Sequence, residues 1–107
     1  TELASQEASQ LEARLRSAES RVHSLEDEKA RMEAQFEELE RRARDQGLEE
    51  AEETRNYMQR FETEVELVDR RLAEARADVA EISGRLDRKL EDLRAWQDLV
   101  DRRLSGQ

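Results

Sequence analysis

His23 is the one imidazole in the chain, so proton transfer or nitrogen ligation of a metal would have to run through it. Either role needs an orienting carboxylate or a second ligand at a usable spacing. His23 falls at an outward position of the helical repeat described below, with no acidic or histidine partner in ligand spacing, and reads as a solvated surface side chain. The acidic run Glu37, Glu38 and Glu40 could attract divalent cations, but at these spacings it describes the wet face of a helix. There is no glycine-rich phosphate loop, no serine–histidine–aspartate set and no cysteine. The sequence therefore predicts no catalytic centre, no metal and no cofactor, and reads as a non-enzyme.

Two other features invite a functional reading. Arg41, Arg42 and Arg44 form the sharpest basic cluster, followed by Glu49, Glu50, Glu52 and Glu53. Ion pairing within a helix accounts for them, and an electrostatic zone docking against a neighbouring rod is the alternative. Trp96 is the single tryptophan; it reads first as filler of a wide apolar seam, and second as an anchor for an outside partner.

The elements that must carry these residues follow from composition and period. Of 107 residues, 44% are charged and 4% aromatic, with no proline. That is too little apolar surface to enclose a compact core against chain entropy. A long helix burying a narrow stripe tolerates it. The net charge is −9, with −8 in residues 1–53 and −1 in residues 54–107, so neither half suits duplex nucleic acid or an anionic membrane. No apolar run approaches the roughly 18 residues that a membrane span needs. The lack of cysteine fits a reducing compartment, and a start at Thr1 reads as a piece of a longer protein.

Apolar residues step by four and three through Leu11, Leu15, Ala18, Val22, Leu25, Lys29, Met32, Phe36, Leu39 and Ala43. With Leu15 at position a, this is a heptad block, and Lys29 is its one charged intrusion. A second block runs through Ala51, Met58, Phe61, Val65, Val68, Leu72, Ala75, Val79, Ile82 and Leu86. It is one residue late relative to the first. The sequence alone predicts that Gly47 is a skip residue, a phase correction inside one continuous helix of about 160 Å at roughly 1.5 Å per residue. The domains are then a first block at 1–43, a skip segment at 44–50, a second block at 51–104 and a tail at 105–107.

Beyond Leu86 the strict repeat places Lys89, Trp96 and Arg103 at d and Leu93 and Val100 at a. A stutter near Leu86–Leu93 would avoid the charges by moving the seam onto Leu90, Leu93, Gln97, Val100 and Leu104. Either way Leu90, Trp96, Leu99 and Leu104 widen the apolar face, which suits more than two helices or a separate partner. Gly84 sits at an exposed f position, and Ser105-Gly106 supplies a helix stop.

Charges flanking the seam bias its direction. In a parallel pair the first block would match Arg14 with Glu19 and Arg21 with Glu26. Antiparallel pairing of that block with itself would oppose Glu12, Glu19, Glu26, Glu33 and Glu40. The second block favours antiparallel self-pairing about a centre between Ala73 and Glu74, which aligns Arg71 with Asp78 and Glu64 with Arg85.

The stretches QEASQLEARL (Gln6 to Leu15), RVHSLE, MEAQFEEL and RARDQ resemble the coiled-coil tail of class eighteen myosins, over about the first 46 residues. The excess of arginine over lysine is similar to that of rootletin-type ciliary rootlet and centrosomal rods. The resemblance implies a cytoplasmic, cytoskeletal tail segment that dimerises and meets other coiled-coil or cytoskeletal proteins, and the wide C-terminal face extends the expectation to a tetramer. The fold class expected is all-α, a single long helix forming a coiled coil. Its function is structural, with a helical binding module at Leu86–Leu104 as the alternative.

Overall fold

A computed structural model describes residues 2–106 of the chain. Among them there is no strand; two helices, α1 (Glu2–Asp45) and α2 (Glu52–Leu104), account for nearly all of the backbone. The absence of proline and the abundance of glutamate, arginine, leucine and alanine favour helix throughout.

The expectation of one continuous helix is corrected at Gly47. Its φ is +68°, in the left-handed region that glycine enters without steric cost. The Gly47 amide donates to the Arg44 carbonyl at 3.1 Å, and the Leu48 amide donates back to the Ala43 carbonyl at 2.8 Å. These two bonds are a Schellman cap with Gly47 at C′, and they satisfy carbonyls that the end of α1 would otherwise orphan. Arg42 and Arg44 lie in the last turn of α1, and Glu52 and Glu53 in the first turn of α2. Each pair has the sign that its helix terminus favours. The segment expected to correct phase is therefore a stop, a turn and a restart. The Ala51 amide donates to the Leu48 carbonyl, and the Ala51 carbonyl accepts the first bond of α2 from Arg55.

The described chain divides into two compact units, through both of which α1 and α2 run. Arg21–Ala75 form a helical hairpin. Within it Phe36 and Phe61 stack at 5.4 Å between ring centroids, tilted by 41°. Lys29, earlier on α1, meets Asp69, later on α2, so the two segments are antiparallel. Leu25, Leu72 and Ala75 form its buried cluster, with Val22 against them, and Val68 and Leu72 are each only 3% exposed. Burying side chains of this size contributes about 1.5–3 kcal/mol each.

The other unit consists of α1 up to Ser20 and α2 from Arg76 onward. Ala8, Leu11, Ile82 and Leu86 are buried together, with Leu15, Ala18 and Leu93 packed against them. Lys89 and Leu93 are half-buried while Leu90 and Gln97 are exposed. Burial thus follows the seven-residue repeat through Lys89, and the stutter near Leu86–Leu93 is corrected. A half-buried lysine is tolerable there because Glu7 meets it. Ser105-Gly106 closes α2 where the sequence places a stop, with Gly106 at φ +79°.

Candidate interaction surface

The positions expected to form an apolar seam are all buried or half-buried. On α1 these are Leu11, Leu15, Ala18, Val22, Leu25, Lys29, Met32, Phe36, Leu39 and Ala43. On the other side they are Ala51, Met58, Phe61, Val65, Val68, Leu72, Ala75, Val79, Ile82, Leu86, Leu93 and Val100. In both clusters the covering side chains come from the other helix of the same chain. Leu72 and Ala75 face Leu25 rather than a copy of themselves across the centre proposed at Ala73 and Glu74. Ala8, buried at the next a position below Leu15, was missed because alanine is a weak apolar signal in an alanine-rich helix.

The two lysines in the chain occupy equivalent roles. Lys29 Nζ lies 2.7 Å from Asp69 Oδ1 and 3.7 Å from Glu33 Oε1. Lys89 Nζ lies 2.6 Å from Glu7 Oε2. Each crosses from one helix to the other at a seam position, with the long aliphatic stem covering apolar surface and the ammonium reaching a flanking carboxylate. Arginine is otherwise the cation of this chain, and the pairs of Arg41, Arg42 and Arg44 run along α1. Arg41 forks onto Glu38, with Nη2 2.7 Å from Oε1 and Nε 3.2 Å from Oε2, and Arg42 Nε adds a third donor at 3.0 Å. Arg44 pairs with Glu40 and Arg41 also reaches Asp45, at 3.6 and 3.7 Å. The basic cluster is therefore satisfied by acids of its own helix, not by Glu49–Glu53. The hydrogen bond from Arg41, then that from Arg42, holds the Glu38 carboxyl below its ordinary range, and Glu38 raises the Arg41 guanidinium in return.

His23 is solvated, with Glu26 Oε1 3.8 Å from its Nδ1. That neighbour one turn on is a correction to the sequence reading, but the distance is beyond a hydrogen bond. Among the described residues no group of histidine, aspartate and glutamate has the geometry to hold a metal ion. No helix among them is long and apolar enough to cross a membrane.

Several apolar surfaces are left open among the described residues. In the hairpin unit, Phe36 and Val65 floor a shallow groove rimmed by Glu33 and Glu37 from α1 and Glu62 and Glu66 from α2. Lys29 partly offsets Glu33, whereas Glu37, Glu62 and Glu66 meet no cation among the described residues. In the other unit, Trp96 is 48%, Leu99 49% and Leu104 81% exposed. Their place follows from helix length: α2 has 53 residues and α1 44, so the last turns of α2 have no described α1 residue opposite them.

No family model, curated protein or solved structure matches this chain.

Proposed function

We propose that the chain is a structural, non-catalytic segment: an antiparallel coiled coil formed within one chain, which serves as a scaffold on which further helices assemble. The observation that carries this reading is that both heptad seams are buried against each other, with Lys29–Asp69 and Lys89–Glu7 crossing between the helices. Alternating spacings of three and four are the sequence condition for knobs-into-holes packing. The likeness of residues 6–46 to class eighteen myosin tails, and of the arginine excess to rootlet-type rods, supports a cytoskeletal setting. A parallel two-chain rod of that type needs an unbroken helix, and the cap at Gly47 departs from it.

A cysteine pair tests the reading. Phe36→Cys with Phe61→Cys should close a disulfide within one chain at high dilution and leave the mass of a single chain. Efficient cross-linking of Phe36→Cys alone between two chains would establish a parallel register and overturn it.

The exposed apolar end of α2 favours a second activity for the same scaffold, capture of another helix at Trp96, Leu99 and Leu104.

A further inference from the structure

Two of the open surfaces complement each other in chemistry. The groove over Phe36 and Val65 is apolar at its floor and acidic on both rims. Glutamates on facing rims repel across the helix pair, a cost that a cation lying between them would relieve. The end of α2 presents Arg102 and Arg103 beside apolar side chains, with Asp98 and Asp101 on the face turned away from Trp96. Trp96, Leu99 and Arg103 recur at i, i+3 and i+7, one face of a helix, and Arg102 borders Leu99. Trp96 and Leu99 are about half exposed, and Arg102 and Arg103 meet no carboxylate among the described residues. It is an aromatic anchor beside guanidinium groups, the residue types enriched at the energetic centres of interfaces.

We propose that the groove of one copy receives the C-terminal end of α2 from a second copy. Trp96 lies over Phe36 and Val65, while Arg102 and Arg103 reach Glu37, Glu62 and Glu66. The charge complementarity of two surfaces otherwise left uncovered names a second copy as the occupant. Because the contact joins different patches on the two copies, it is head-to-tail and can propagate into a chain of copies or close into a ring. This deepens the scaffold reading, and it rests on the hairpin pairing that builds the groove.

Two variants of the full chain test it by sedimentation equilibrium across concentration and salt: Trp96→Ala, which removes the anchor, and Glu62→Lys with Glu66→Lys, which reverses one rim. The unaltered chain should associate beyond two copies and weaken as salt rises. Each variant alone should weaken association about tenfold or more. Mixed, the two should form a heterodimer and stop there, because only one intact groove and one intact end remain. The 36–61 disulfide and the helical melt should persist in both variants, so failure of the hairpin reading is told apart from failure of this one. A monomeric unaltered chain at its highest attainable concentration would overturn the proposal. So would association that survives both variants, as exchange of whole helices between copies predicts, or a mixture that forms no heterodimer.

Discussion

Lys29 Nζ stands 2.7 Å from Asp69 Oδ1, linking an a position of α1 to the flank of α2. An ammonium in an apolar seam contributes less stability than leucine would, but a charge with one well-placed partner distinguishes one register from its neighbours. A slip by one heptad would replace Asp69, at an e position, with Arg76 in one direction, which repels Lys29, and with Glu62 in the other, so the pair selects against one of the two slips. Both groups are partly solvated, so a double-mutant cycle of Lys29→Met and Asp69→Asn should give a coupling of about 0–1 kcal/mol. The coupling should shrink in high salt and be independent of protein concentration. Concentration dependence would place the two residues on different chains.

Gly47→Ala should destabilise the chain. A Cβ at φ +68° meets no neighbouring atom, so the cost is purely that of the left-handed backbone, about 1–2 kcal/mol. The melting temperature should fall by about 4 °C or more, and Gly47→Asn should fall less, since asparagine tolerates this conformation better. Deleting Gly47 separates the two architectures. A skip within a continuous helix predicts a higher melting temperature on deletion, whereas the capped turn predicts a lower one.

Ala51 holds the N-cap position of α2 and offers no side-chain acceptor to the amides of the first turn. Ala51→Ser supplies one. The variant should gain about 1 kcal/mol in thermal or urea unfolding, and no gain would mean that the first turn is already satisfied by other means.

Gly84 lies inside α2, where glycine costs about 1 kcal/mol relative to alanine. The position is half-buried rather than fully exposed, and a Cβ there would lie 3.7 Å from Arg88 Nη1, an ordinary contact. Gly84→Ala should therefore stabilise by up to about that amount, read as a higher urea midpoint with an unchanged slope.

Glu38 should titrate at lower pH than a free glutamate, because the Arg41 hydrogen bonds, then that of Arg42, favour its carboxylate. The sign follows from linkage: a folded pKa below the unfolded one stabilises above the ordinary carboxylate range. That contribution is lost as pH falls through the folded value. Carboxyl NMR titration should show the depressed midpoint, and Arg41→Gln should raise it most of the way back. An unmoved midpoint would assign the depression to other groups.

Period alone, in the sequence, determined which residues would be covered. Alternating steps of three and four put one apolar stripe on each helix, and every stripe position from Leu11 to Leu93 is buried or half-buried. Where the cover comes from was decided only in the tertiary structure. Leu25 can be screened equally well by a second copy or by Leu72 of its own chain, and a stripe carries no information about its partner. Around Gly47 the spacings suit an unwound continuous helix and a capped turn alike. Arg42 and Arg44 before the glycine, Leu48 after it and Glu52 and Glu53 beyond were signals of a helix end, but local preferences of about 1 kcal/mol cannot decide alone. Phe36 meeting Phe61 and Lys29 meeting Asp69 bring together residues far apart in the chain. Many such contacts, summed along both helices, favour the reversal of the chain.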